Sequence, residues 1–181
     1  MTRRVVISGG PGSGKTTLIE MFRARGYPIA PEAGRAILKH QHAIGGSAQH
    51  HLDAALYAEL MLSWEMRSYD AMAAETGTVF FDRSIAELTG YFPLIGKPLP
   101  PHFAEAARRF RYHHDVFVAP PWPQIYVNDA ERKQDFAEAI RSHEALVTAY
   151  RDTGYHLVEL PKASPGTRAD FILAALGADV T

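Results

Sequence analysis

Val5-Val6-Ile7-Ser8-Gly9-Gly10-Pro11-Gly12-Ser13-Gly14-Lys15-Thr16 is the stretch whose reading decides the fold. Arg3 to Ser8 is dominated by β-branched residues and runs into Gly9-Gly10-Pro11-Gly12, which predicts a buried strand ending in a turn. Ser13 to Ala24 then has helical spacing, with Leu18, Ile19 and Phe22 on one side and Gly26 as a stop. Between strand and helix, Gly9 to Thr16 satisfies G-x-x-x-x-G-K-S/T in full. Glycines leave backbone amides free to close around phosphate oxygens, and the helix that follows adds its positive N-terminal end. The expected nucleotide cradle is Gly10, Pro11, Gly12, Ser13, Gly14, Lys15, Thr16 and Thr17. Lys15 should reach the β- and γ-phosphates, and Thr16 should offer its hydroxyl to magnesium. The competing explanation is a chance glycine turn, which the correct flanking elements argue against.

Outward from the loop, strands and helices alternate. Tyr27 to Pro31 reads as a short strand and Glu32 to His40 as a helix. Leu52, Leu56, Leu60 and Trp64 recur every four residues and predict one helix from about Gln49 to Ala74. Thr78-Val79-Phe80-Phe81, closed by Asp82, is a compact apolar strand, followed by a helix over Ser84 to Tyr91. Pro93 to Pro101 reads as a connector, Phe103 to Tyr112 as a helix and Val116 to Val118 as a core strand. After the stiff loop Ala119-Pro120-Pro121-Trp122-Pro123, Asn128-Asp129 can cap a helix running to about Asp152. Tyr155 to Leu160 and Thr167 to Leu176 complete the alternation as strand and helix. The pattern, without internal repeat, predicts one α/β domain over residues 1–181 around a mostly parallel sheet.

Composition removes several classes. With 181 residues and 46% hydrophobic content, the chain can build one real core. It has no cysteine, so a disulfide scaffold, a cysteine nucleophile and a zinc knuckle are excluded. A net charge of −1 gives no global attraction to nucleic acid or anionic membrane. No apolar run approaches the roughly 18 residues of a membrane span, and no signal-peptide core follows the N-terminus. The expectation is a soluble, cytoplasmic protein.

A phosphate loop does not say whether its nucleotide is hydrolysed, used for transfer or read as a signal; the acidic residues decide. Asp82 ends an apolar strand in the manner of a Walker B, where it can hold the magnesium shell or hydrogen-bond a substrate. The alternative is a helix cap beside Ser84. Asp82 is followed by Arg83, whereas motor ATPases generally carry a glutamate there to polarise water, so transfer to an acceptor is favoured. Glu32 stands at the same sheet edge as the loop and could take the proton of an acceptor hydroxyl; equally, it could pair with Arg35 on its own helix. Arg132, in the charged segment Asn128 to Asp135, suits a lid that neutralises a transferring phosphoryl group, although a solvated helix face explains the spacing as well. Arg108, Arg109 and Arg111 form a basic cluster that Glu105 largely accounts for. Of nine histidines, His50-His51 and His113-His114 are adjacent and diverge, which favours structural or surface roles over a metal site. Trp122 could stack on a base, but packing of its loop is the preferred reading.

Val5 to Thr17, Pro31-Glu32-Ala33-Gly34-Arg35, Phe80-Phe81-Asp82-Arg83 and Ala119 to Pro123 together resemble the AAA-domain-labelled family of small bacterial P-loop proteins. Its nearest enzymatic relatives are nicotinamide riboside kinase and the nucleoside and nucleotide kinases. The resemblance spans nearly the whole chain. It implies a three-layer fold with five parallel strands in the order 2-3-1-4-5, ATP and magnesium as cofactors, and Thr16 and Asp82 at the metal. It also implies Glu32 as base, Arg83 near the phosphates, Arg132 as lid arginine and Pro161 to Gly166 beside the adenine. Pairing into a homodimer through the long helices is common among such kinases.

Two functions follow. The first is a kinase transferring the γ-phosphate of ATP to a nucleoside-, nucleotide- or riboside-like small molecule. The second is a slow NTPase that uses its nucleotide as a switch. A kinase acting on nucleic acid lacks a basic face.

Overall fold

β1 (Thr2–Gly9) is apolar on both faces. Val5 and Ile7 pack with Leu18, Phe22, Phe117 and Ile172, while Val6 packs with Phe81, Val118, Leu146 and Tyr150. A strand buried on both sides needs helices above and below it, the arrangement of parallel sheets. The computed structural model describes residues 2–125 and 136–177.

The other elements are α1 (Lys15–Ala24), β2 (Ile29–Ala30), α2 (Ala33–Ile44), α3 (Ala54–Ala71), β3 (Gly77–Asp82), α4 (Ile85–Leu94), α5 (Pro101–Arg109), β4 (Asp115–Ala119), α6 (Phe136–Asp152), β5 (His156–Glu159) and α7 (Pro165–Ala175). Short 3-10 turns cover Met72–Ala74 and Pro123–Ile125. All strand pairs are parallel and the order is β2-β3-β1-β4-β5, as expected. Helices α1 and α7 cover one face, with Phe22 stacked on Phe80 at 3.8 Å between ring centroids. Residues of α4 and α6 and Tyr69 of α3 pack on the other, while α3, α4 and α5 share a further apolar cluster.

Local differences from the sequence reading have physical reasons. α1 begins at Lys15, because residues 10–14 are spent on the loop and Gly14 caps the helix at φ 78°, a left-handed conformation. β2 shrinks to two residues between its prolines, and α2 continues past His40 to Ile44. α3 starts only at Ala54, where Asp53 caps it by accepting from the Leu56 amide at 2.9 Å. Pro93 lies inside α4, so the connector begins after it, and α5 opens with Pro101 and stops at Arg109 instead of Tyr112. α7 opens two residues earlier than expected, with Ser164 accepting from the Thr167 amide as its cap. Asn128-Asp129 and Arg132 lie outside the described residues. Among the described residues, no helix is long and apolar enough to cross a membrane.

Candidate active site

The parallel order places the carboxyl ends of β2, β3 and β1 side by side, with β1 and the phosphate loop that follows it at the centre of the five-stranded sheet. Lys15 is buried and forms an ion pair with the equally buried Asp82. Asp82 is therefore no helix cap. The cap position of α4 belongs to Ser84, whose hydroxyl is 3.0 Å from the Tyr150 hydroxyl. Ser13 Oγ is buried with no partner among the described residues, and Thr16 and Thr17 are exposed at the mouth of the loop.

Arg83 adopts φ 77°, the one positive φ at a non-glycine residue among those described. Such a backbone costs about 1–2 kcal/mol and persists only where its surroundings over-determine it. Here they do. Its amide donates to the Ile7 carbonyl at 3.1 Å, its Nε donates to Glu32 Oε1 at 3.1 Å, and its Nη1 pairs with Glu87. Glu87 is itself held by the Ser8 hydroxyl at 2.6 Å and the Tyr150 hydroxyl at 3.1 Å. Two carboxylates thus draw Arg83 across the edge of the sheet.

Glu32 stands at the N-cap of α2 and makes no capping bond there, because its carboxylate faces Arg83. Burial alone would raise its pKa, but Arg83, Lys15 and Arg35 together bring it down to about 2. Glu32 is an anion throughout the neutral range. Burial also pushes the Arg83 guanidinium toward losing its charge, and Glu87, Glu32 and Asp82 outweigh that and hold it charged.

A cavity of about 600 Å³ opens from Gly10 and Pro11 past Glu32 and Arg83 to Tyr57, Glu65 and Tyr91. Tyr57 and Tyr91 line it, whereas Trp64, Phe92 and Phe110 pack into apolar clusters. Glu65 was missed. The leucine stripe draws attention to Leu52 and Leu56, which are exposed, while α3 buries Tyr57, Ala58, Leu62 and Glu65. The available signal was Tyr57, Met61 and Glu65 at successive fourth positions, an apolar stripe that ends in an acid.

Arg168 was also missed. It is buried, donates from Nη1 to the Ser13 carbonyl at 3.0 Å, and lies over Trp122 at 5.9 Å, which supports packing as the task of that tryptophan's loop. Arg108 and Arg109 pair with Glu105, as expected from their spacing. Among the histidines, cross-strand pairing unites what adjacency does not. His114, Asp115 and His156, at the amino ends of β4 and β5, bring one ligand atom each within 4.8 Å of one another and could hold a metal ion. That group lies at the sheet edge opposite the phosphate loop.

Residues 4–168 match the model of a family described as an AAA domain. No curated protein matches the chain. Among solved structures, the NadR protein in complex with NR has a TM-score of 0.73 at 19% identity, covering 99% of this chain and 52% of the other. Deoxyadenosine kinase from M. mycoides with bound dATP gives 0.62 at 12% identity, covering 97% of this chain and 100% of the other. Thymidylate kinase from Ehrlichia chaffeensis gives 0.63 at 11% identity, covering 97% and 98%. The chain spans about half the length of the NadR chain and nearly the whole length of the two kinases. At these identities the likeness establishes the fold, that of P-loop kinases.

Proposed function

The chain belongs to the AAA-domain family, and from that premise and the site geometry we propose that it is an ATP- and magnesium-dependent kinase of a small hydroxyl-bearing acceptor. The observation that carries this reading is the cavity between the phosphate loop and Glu32, a space of acceptor size that simple hydrolysis of a nucleotide does not require. The solved structures of the same fold, NadR with NR and deoxyadenosine kinase with dATP, support a nucleotide and a riboside- or nucleoside-like ligand.

The residues present suit both cofactors. An unpartnered buried Ser13 hydroxyl, a glycine loop and Lys15 are donors for phosphate, and the Thr16 hydroxyl with the Asp82 carboxylate is a hard-oxygen set suited to magnesium. When bound, ATP supplies the γ-phosphoryl group and magnesium neutralises phosphate charge. Lys15, held by Asp82, is the cation that phosphate oxygens would take over. Glu32 accepts the hydrogen bond of the acceptor hydroxyl and aims its oxygen at the γ-phosphorus. With the phosphoryl group transferred to the acceptor oxygen and ADP as the leaving group, Glu32 would pass the hydroxyl proton to solvent. A carboxylate held near pKa 2 is a weak base, so Glu32 contributes orientation above all, which a loose phosphoryl-transfer transition state permits. Arg83 fixes Glu32 and supplies positive charge beside the transferring group. Arg132 would add a lid charge, and the whole chain would work as one cytoplasmic kinase domain.

ADP release with magnesium-ATP, alone and with nucleosides, nucleotides and nicotinamide riboside, tests the proposal. Release that rises with one acceptor and vanishes in Lys15→Ala and Asp82→Asn, both folded by circular dichroism, is the expected result. Equal, slow release under every condition, with tight nucleotide binding, would make the protein a switch instead.

A further inference from the structure

The acceptor class can be narrowed from the charge on the cavity wall, an argument that rests on the kinase reading above. Four carboxyl groups line the cavity, those of Glu32, Glu65, Glu87 and Glu138, against two guanidinium groups, Arg83 and Arg141. Arg83 is spent on Glu32 and Glu87. Arg141 is exposed on α6, three residues from Glu138. Among the described residues, Arg141 is thus the one lining guanidinium without a carboxylate partner, and a phosphate drawn to Arg83 would have to compete with Glu32 and Glu87 for it.

The same wall favours a ring. His50 packs edge-on to Tyr57 at 4.4 Å between centroids, Tyr57 stands 6.1 Å from Tyr91, and His50 Nδ1 lies 3.0 Å from the Tyr91 hydroxyl. Burial disfavours the charged form of His50, so this corner is an uncharged aromatic surface. Glu65 is 5% exposed, lines the cavity, and has no hydrogen-bond or ion-pair partner among the described residues. A buried carboxyl without a partner is costly, and a ligand donor that satisfied it would be rewarded accordingly.

We infer that the cavity takes an unphosphorylated, nucleoside-like acceptor, neutral or cationic, and that Glu65 selects it by hydrogen bonding to the polar edge of its ring. Burial, with Glu87, Asp82 and Glu32 nearby, raises the Glu65 pKa to about 8, so at neutral pH its carboxyl can both donate and accept. Glu65 is a specificity-determining residue, set apart from the Glu32 carboxylate that meets the reacting hydroxyl.

The test measures kcat and KM for a panel of nucleosides and ribosides beside their 5′-monophosphates. It uses the wild-type chain, Glu65→Leu and Glu65→Gln, with melting curves to verify folding. The wild type should favour one unphosphorylated acceptor over its monophosphate by about 100-fold or more in kcat/KM. Glu65→Leu should raise the acceptor KM about tenfold or more, with a far smaller change in kcat and in KM for ATP. Glu65→Gln, isosteric with the protonated carboxyl, should recover most of that loss. A preference for monophosphates that disappears in Arg141→Ala would overturn the inference and leave the kinase standing. So would an acceptor KM indifferent to Glu65, or one that moves together with KM for ATP. Turnover of neither class, with ATP still bound, would remove the kinase itself and this inference with it.

Discussion

Glu32 and Glu65 are glutamates of one cavity with opposite electrostatic fates, and their titration separates them. Glu65 faces burial, the charges of Glu87, Asp82 and Glu32, and the nearby Tyr112 hydroxyl, with Arg83 the one cation opposing them. Its folded pKa of about 8 lies above the ordinary carboxylate value of 4.5, so between those values the folded chain keeps a proton that the unfolded chain releases. That part of the stability is present in full below about pH 4.5 and is lost as pH rises through 8. Glu32, at about 2, runs the other way: its contribution is present above 4.5 and is lost as pH falls toward 2. Glu65→Gln should therefore gain on the wild type as pH rises from 5 to 8.5, by a few kcal/mol at about 1.4 kcal/mol per unit of displacement. Paired melting curves at several pH values check this, and a constant difference would mean that Glu65 does not titrate. At the phosphate loop, removing one member of the buried Lys15–Asp82 pair strands the other. Lys15→Met alone should cost about 3 kcal/mol in urea unfolding, and adding Asp82→Asn should restore most of it while turnover stays absent.

At the scale of elements, the approach of α2 to α3 sets the width of the cavity. A Cβ on Gly34 would stand 2.5 Å from the Tyr57 hydroxyl, and Tyr57 is buried at 3% exposure, so the ring cannot swing aside into solvent. Alanine in a helix ordinarily gains about 1 kcal/mol over glycine. Here overpacking should reverse the sign, giving a loss of about 1–3 kcal/mol. Gly34→Ala should also raise the acceptor KM and leave KM for ATP near the wild-type value, because the displaced hydroxyl lies on the acceptor side. A stabilised variant would show that the two helices can separate freely. This contact also marks where sequence reading runs out. The strands, the loop and the acidic ends of β2 and β3 were legible because each depends on local apolar runs and turn residues. Glu65 was not, since the face that α3 buries is chosen by α2, α4 and α5, and the leucines one position away on the helix pointed elsewhere.

Across the whole molecule, the phosphate loop is secured from the far end of the chain. Arg168 on α7 bonds the Ser13 carbonyl across 155 positions, and its guanidinium stands 3.0 Å from where a Cβ on Gly14 would lie. No motif announces such a contact. The strand order could be anticipated from the resemblance of the loop and its flanking segments, but a tether made only after α7 docks on α1 is visible only in three dimensions. Its energetics are two-sided. Arg168 is 2% exposed, and its Nε and Nη2 have no partners among the described residues, so burying the guanidinium costs much of what its single bond to Ser13 returns. Arg168→Met, which keeps the length and apolar stem, should therefore leave stability to urea nearly unchanged or slightly raised. The loop, released from α7, would have to be ordered by the nucleotide itself, so ATP affinity should fall about tenfold. Calorimetric titration of ATP beside urea unfolding distinguishes the two effects. Equal losses in both would make Arg168 a packing residue, whereas lost affinity in a chain of undiminished stability would establish α7 as the support that holds the phosphate loop ready.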